Sequence, residues 1–441
     1  MKIAILGNMN NGHFALLRYL RDLNIDAHLL IFRDDGYGSS DHFSIKSDTW
    51  NFSKWQPFIH SLPAVNGYGQ VMGETFFNRI ILYTAYIIKT IFKIHNAHHT
   101  KPPNRSEIEQ LKMILSKYDA YIGSGATPAI LSSLGIRLDL FHAYSIGIEY
   151  VNESNFLSRC KSKNIIIKYI ANQMRKKQVH SIRNARNCFN TELSRTKKAF
   201  EEINVTPEVV SIPFVYPYEK ARSKEFSIVL SNILVRLEQY DFVITSQVRH
   251  LWKKTKNFSN DEWKKISKNN NWMIEAYAEF LKLRPKSNSV LILFEYGQDY
   301  SHSKSLGEKL NIANRIIWLP IMQRKEIMLI IKLSSVSIGE FYEDNVLWGS
   351  LGWECISQGC PLIHAFNISH QDFLEHYGYH PPPVLPAGSM SEIRDQLLHL
   401  YDDEMYRKNI GLNSKAWFDK NNGYSAAKNL VRILDKVNHL S

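Results

Sequence analysis

The sequence predicts an α/β protein built of two doubly wound domains. Three observations carry that prediction. The chain opens with an apolar run, a polar turn, a stretch of helical period and a second apolar run, the β-loop-α-β start of a parallel sheet. The same pattern restarts after Tyr240, at Asp241-Phe242-Val243-Ile244-Thr245-Ser246. Residues 337–364 then read as strand, glycine-bearing loop, short helix and strand, an order that aims backbone N–H groups at an anion.

Composition bounds the rest. A chain of 441 residues, 44% hydrophobic and 22% charged, has room for two or three cores and is ordinary for a globular protein. No apolar run reaches the ~20 residues a spanning helix needs. The formal charge of +12 calls for an anionic partner such as a phosphate or an anionic lipid. No zinc-finger, RNP or helix-turn-helix signature accompanies it, so nucleic acid is not expected. Cys160, Cys188, Cys355 and Cys360 form no C-x-x-C pair. They read as reduced thiols of a cytoplasmic protein.

In order, residues 2–7 form a first strand rather than a leader. The loop Gly7-Asn8-Met9-Asn10-Asn11-Gly12 lacks the G-x-G-x-x-G dinucleotide fingerprint. Phe14, Leu17, Leu20 and Leu23 give residues 13–23 a helical stripe, and residues 27–32 a second strand. Asn11, Gly12 and His13 end this loop and open the helix; the plain reading of His13 is a solvent-facing helix start. Residues 34–74 give no periodic signal. Two basic-apolar segments follow, 76–94 and 156–186, of the kind that lies on an anionic membrane; core helices with a solvated basic face are the alternative.

Residues 118–125 read as a strand entering a glycine turn, with a helix opening at Pro128. Residues 139–150 follow, with His142, Tyr144 and, as a nearby carboxylate, Glu149; the plain alternative for His142 is a strand-end histidine with a structural hydrogen bond. Residues 185–191 are another strand, and 209–214 close a first domain at 1–215. Residues 216–238 are a connecting helix or linker. In a second domain at 239–415, Arg249, Lys253, Lys254 and Lys268 follow the first strand, Gly297 follows the next, and residues 316–320 form a further strand. Gln323-Arg324-Lys325-Glu326 opens a helix. In the 337–364 stretch, Ser350 can cap a helix that stops at Gly359, with Glu354 in its first turn. Residues 416–441 are a last amphipathic helix returning to the first domain.

Glu340-Phe341, the small-residue loop Gly349-Ser350-Leu351-Gly352, Glu354 and Gly359-Cys360-Pro361 together resemble the signature of retaining glycosyltransferases of the GT-B fold, in the family 4 or group 1 branch. The resemblance covers most of the chain and is specific over residues 241–364. One difference is spacing: Glu354 lies fourteen positions after Glu340 and eleven after Glu343, further than the family's usual separation. Glu340 is taken as the first acid. At the aromatic-Gly-x-Asp position, Ser145 and Gly147 replace Gly and Asp beside Tyr144.

The resemblance implies two Rossmann-like domains facing a cleft, with a nucleotide-sugar in the second and the acceptor in the first. Arg249 and Lys268, with Lys254 as a competitor, would grip the diphosphate; backbone at Gly297 and at Gly349, Ser350, Leu351 and Gly352 would approach it. Glu354 would take ribose hydroxyls, and Glu340 would lie near the sugar. His142 would meet sugar or acceptor, with Asn11, Gly12, His13, Tyr144 and Glu149 on the acceptor side. It implies no cofactor and no bound metal, and Asp402-Asp403 reads as surface. The implied activity is hexosyl transfer with retention from a nucleotide-sugar, UDP-linked by the family's habit. The acceptor would be a glycan or lipid-linked saccharide in bacterial surface polysaccharide synthesis, at the inner face of the cytoplasmic membrane. Two other readings stand beside it: a GT-B-like sugar-nucleotide epimerase, and a non-catalytic protein that binds membrane or a partner.

Overall fold

The computed structural model describes residues 1–32, 44–62, 105–125, 127–143, 165–190, 197–256, 258–342 and 349–439. Tyr144, Gly147, Glu149, Glu343 and the segment 76–94 lie outside them. The chain divides into two compact units, Met1–Ile45 with Asn51–Tyr216 and Tyr424–Ser441, and Lys46–Trp50 with Pro217–Gly423.

The first unit is a seven-stranded parallel sheet. Its strands are β1 (Lys2–Leu6), β2 (Asp26–Phe32), β3 (Ile59–Leu62), β4 (Ala120–Gly123), β5 (Leu140–Ala143), β6 (Asn187–Asn190) and β7 (Glu208–Val209), in the order β3-β2-β1-β4-β5-β6-β7. β1 pairs with β2 on one side and β4 on the other, so the winding reverses between β1 and β4. The helix Gly12–Asp22 is buried from Gly12 through Leu20, Arg18 included. Arg18 lies with its guanidinium 4.3 Å from the Phe14 ring and 4.7 Å from the Tyr216 ring, a cation resting on aromatic faces. The last helix, Gly423–His439, belongs to this unit from Tyr424 onward. Its Tyr424 hydroxyl donates to Asp22 Oδ2 at 2.9 Å, and Tyr216 donates to the same oxygen.

The second unit is a six-stranded parallel sheet: β8 (Phe242–Ser246), β9 (Ser289–Phe294), β10 (Ile316–Leu319), β11 (Val336–Ile338), β12 (Leu362–His364) and β13 (Leu385–Pro386), ordered β10-β9-β8-β11-β12-β13. Side chains alternate across a strand, and the two apolar layers follow that alternation. Phe242, Ile244, Leu291 and Leu293 enter one core with Met273, Phe280 and Ile393. Val243, Val290, Ile292 and Phe294 enter the other with Leu230, Ile233 and Ile330. A strand buried on both faces reads as a continuous apolar run, which is why β8 and β9 are plain in the sequence.

Two stretches sit elsewhere than expected. Residues 216–238 are not a connector: their helix Ile228–Leu237 buries Leu230, Ile233 and Leu237 in the second unit's core. Lys46–Trp50, from the N-terminal part of the chain, also belongs to the second unit, and Trp50 packs in the same core. The last helix starts later than residue 416: Glu404–Asn421 ends before Gly423–His439 begins.

Candidate functional site

In an open parallel sheet, ligands gather beyond the carboxyl ends of the strands where the winding reverses. In the second unit that point lies between β8 and β11. Gln247 leaves β8 there, Glu340 leaves β11, and the helix Ser350–Gln358 comes next in the chain.

Two ion pairs define the place. Lys268 Nζ donates to Glu340 Oε2 at 2.9 Å, with the two side chains 16% and 20% exposed. Asn269, next to Lys268, donates through Nδ2 to the Phe341 carbonyl. Adjacent residues thus hold the adjacent pair Glu340-Phe341 just after β11. Arg324 Nε donates to Glu354 Oε1 at 2.7 Å, and Gln247 Nε2 donates to Glu354 Oε2 at 3.2 Å. Each Glu354 oxygen therefore has one protein donor and keeps acceptor capacity beyond it. Asp48 Oδ1 stands 3.8 Å from the same Arg324 Nε.

The helix bearing Glu354 differs in detail from its expected form. Gly349 is its N-cap, in extended conformation and with no side-chain cap, and Ser350 is its first residue. Ser350 is therefore not a cap, Leu351 and Gly352 are buried helix rather than loop, and Glu354 lies in the second turn. Gly349 and Ser350 remain exposed at the helix start, where the first N–H groups lack partners within the helix. At the far end Gly359 takes φ 70°, and the Cys360 N–H returns to the Cys355 carbonyl at 3.1 Å.

The loop after β8 is clamped to the loop after β9. The His250 N–H donates to Tyr296 O at 2.8 Å, and the Trp252 and Lys253 N–H groups both donate to Asp299 Oδ2, at 2.8 and 2.9 Å. The approach is close enough that a Cβ on Gly297, at φ +107°, would lie 2.4 Å from His250 O. Arg249 rides on this loop, exposed and without a hydrogen bond or ion pair to any described residue. Lys254 is exposed and donates to Asn260 Oδ1. Burial lowers the His250 pKa to about 4. Its Nδ1 meets Ser303 Oγ at 2.9 Å, while its buried Nε2 meets no described partner. Beside β11, Gly339 is packed on the His364 ring; a Cβ there would fall 2.1 Å from His364 Cδ2. Burial likewise holds His364 below the ordinary histidine range.

In the first unit the reversal point gathers Asn8, Asn11, His13 and, from β5, His142. All are buried. His13 Nδ1 donates to the Gly7 carbonyl at 2.8 Å, so its neutral Nε2 is the acceptor that receives His142 Nδ1–H at 3.2 Å. Burial drops the His13 pKa to about 4; burial, and then the charge of His13, hold His142 well below its usual value. Asn8 accepts the Phe14 N–H at 2.9 Å and donates to Asn11 Oδ1 at 2.8 Å, while Gly12 faces the Phe214 ring. Asn11 and His13 are each 2% exposed. The solvent-facing reading of His13 is therefore wrong, and this group anchors a helix start while showing almost no surface to an acceptor.

No protein-family profile matches the chain, and no curated protein matches its sequence. Solved structures do match along the whole length. Anabaena HepE, solved in complex with UDP-glucose, superposes with a TM-score of 0.57 at 13% identity, covering 99% of this chain and 100% of that one. A Neisseria meningitidis UDP-GlcNAc 2-epimerase bound to UDP-GlcNAc gives 0.54 at 11%, covering 99% and 100%. WaaG, a glycosyltransferase involved in lipopolysaccharide biosynthesis, gives 0.51 at 11%, covering 98% and 99%.

The fold is GT-B.

Within this GT-B chain the sequence reading missed Arg324, Gln247 and Asp48. Arg324 carried a usable signal. A cation at the first position of a helix opposes the helix dipole, so it calls for a nearby carboxylate. Gln247 and Asp48 gave none, since an isolated amide or acid says nothing of what the fold brings to it. Among the described residues, no three His, Cys, Asp or Glu side chains cluster in metal-binding geometry, and no helix is long and apolar enough to cross a membrane.

Proposed function

We propose that the protein transfers a sugar from a nucleotide-sugar, UDP-linked by preference, to a glycan or lipid-linked saccharide, with retention at the anomeric carbon. The observation that carries this reading is two hydrogen-bonded pairs, Gln247–Glu354 and Lys268–Glu340, beside the carboxyl ends of β8 and β11. A nucleotide-sugar needs both kinds of group. Breaking the bond between anomeric carbon and phosphate oxygen leaves the electron pair on a nucleoside diphosphate, and cations placed beforehand stabilise that charge. Exposed Arg249 and the Lys268 ammonium serve there, with the start of the Ser350–Gln358 helix adding N–H donors. Glu354 accepts from ribose hydroxyls. Glu340, close to Lys268, accepts from the sugar. The acceptor hydroxyl oxygen forms the new bond to the anomeric carbon, and its proton passes to the departing diphosphate oxygen. Surface polysaccharide synthesis beside the cytoplasmic membrane is the setting we infer, from the resemblance and the basic segments at 76–94 and 156–186.

A second reading, sugar-nucleotide epimerisation, is favoured by the likeness to the Neisseria epimerase, which is close to that of HepE. One experiment separates the two. The protein is titrated with UDP, GDP, ADP, CMP and their sugar conjugates while its melting temperature is followed, and the best conjugate is then incubated without acceptor. A ligand bound by the folded state alone raises the melting temperature by mass action. A shift with one nucleotide, and no sugar interconversion, is expected. Interconversion without acceptor assigns the epimerase. No shift with any nucleotide removes the donor reading.

A further inference from the structure

Arg324 is flanked by two buried acids. Its Nε donates to Glu354 at 2.7 Å, and Asp48 approaches the same nitrogen at 3.8 Å. The Asp48 side chain is 3% exposed, Arg324 11% and Glu354 9%. Glu354 alone would neutralise the guanidinium. A second buried carboxylate beside the same nitrogen carries a desolvation cost, offset in part by the charge of Lys325, the next residue in the chain.

Asp48 is also firmly placed. It lies in Lys46–Trp50, the stretch that joins the second unit from the N-terminal part of the chain. Glu219 accepts from the Thr49 hydroxyl and the Trp50 N–H, both at 2.8 Å. Lys325, next to Arg324, donates to the Thr49 carbonyl at 3.0 Å and lies 5.1 Å from the centre of the Trp50 ring. Lys325 therefore ties the segment carrying Asp48 to the helix start carrying Arg324, directly beside the ion pair.

Arg324 has a long side chain with many rotamers, and each acid held against its guanidinium narrows them. A second acid at the same nitrogen narrows them further. Gln247 fixes the other Glu354 oxygen. We propose that Asp48 is a positioning residue of the donor site: acting through Arg324, it sets the direction in which Glu354 presents its carboxylate to the ribose of the nucleotide. The proposal rests on the donor reading above and adds to it a residue from a distant part of the chain.

Calorimetric titration of the full-length protein tests it. Wild type, Asp48→Asn, Glu354→Gln and the double variant are titrated with UDP, GDP, CDP and ADP. The 2′,3′-dideoxy form of whichever nucleotide binds is then titrated. Wild type should prefer the ribonucleotide by about ten-fold, and Asp48→Asn should lose about that factor for the ribonucleotide alone, the worth of one hydrogen bond to an ionised acceptor. The double variant should bind no more weakly than Glu354→Gln, because both act on one contact. The ratio of ribo to dideoxy affinity reports only on folded protein, so a general loss of stability does not move it. If Asp48→Asn fails to fold, Asp48→Glu, which keeps the charge and shifts it by one methylene, should fold and still lower the ratio. An unchanged ratio, or additive losses in the double variant, overturns the proposal. A wild type that binds both forms equally overturns it while leaving the donor reading in place. A wild type that binds no nucleotide overturns both.

Discussion

At the scale of single residues, buried polar groups are stabilised in two ways, by pairing charges and by staying neutral. Arg324 and Glu354 are charged partners whose separate burial would be costly. Removing one acid strands a buried guanidinium, and breaking such a pair costs about 3–5 kcal/mol. Glu354→Ala should therefore lower the stability to urea by about 3 kcal/mol, with Asp48 moderating the loss, and should weaken nucleotide binding. Glu354→Gln should recover most of the stability and little of the binding. Equal recovery of both would remove Glu354 from the site. His13 and His142 in the first unit, and His250 in the second, are instead kept neutral by burial, with His13 and His250 each near 4 against an ordinary 6.5. The sign follows from which state takes up the proton. Between about pH 6.5 and 4 the unfolded chain binds protons that the folded chain refuses, so stability is full above that window and falls as pH drops through it. Roughly 2 kcal/mol should be lost through His13 alone at pH 5. Urea midpoints at pH 7 and pH 5 would measure the fall, and His13→Gln should reduce it while His142 and His250 keep the remainder. A midpoint that does not change between those pH values contradicts the neutral, buried pair.

At the scale of elements, close backbone approach explains Gly297, which no periodicity could. Gly297 lets the loop after β9 meet the backbone of His250, and thereby sets the loop that carries Arg249. A methyl group there meets backbone oxygen and nitrogen that cannot yield cheaply, and φ +107° disfavours any side chain. Gly297→Ala should cost roughly 3 kcal/mol and displace Arg249. Chemical denaturation would give the first number. If Arg249 holds the diphosphate, nucleotide affinity should fall with it, and an alanine variant with full affinity would separate the loop from the donor site. The strands and helices themselves were legible because each β8 and β9 residue is buried on one face or the other, leaving an unbroken apolar run. The small-residue stretch at 349–352 was less so. Ser350 is a good cap by type, but Gly349 occupies that position, because helix ends are set by where the chain leaves the preceding element.

At the scale of the molecule, chain order and unit membership part company. The first unit is completed by the last helix, where Ala427, Leu430 and Leu434 are buried and Tyr424 bonds Asp22. A chain ending at residue 423 would expose the surfaces those side chains cover. Burying two leucines contributes roughly 4 kcal/mol, so the shortened chain should show a first unit that melts early or is cut by protease within residues 1–216, while the second unit stays resistant. Equal resistance of both units would show that the helix adds little. The second unit is likewise completed from outside its own span, by Lys46–Trp50.

Local patterns were enough to find the two parallel sheets, most of their strands and the stretch from β11 to β12, because buried strands, helical stripes and glycine stops are local; the short edge strands β3 and β13 left no such mark. It also brought Glu340, Lys268 and Glu354 forward as site candidates, through a resemblance carried by motif. Only the tertiary structure decided which of them touch. It paired Lys268 with Glu340 and left Arg249 exposed. It brought Arg324 and Asp48 to Glu354, and it turned Asn11 and His13 inward. Those outcomes depend on contacts between residues far apart in the chain, and no local pattern records such a contact: an ion pair forms from whichever charges the packed strands and helices bring within a few ångströms.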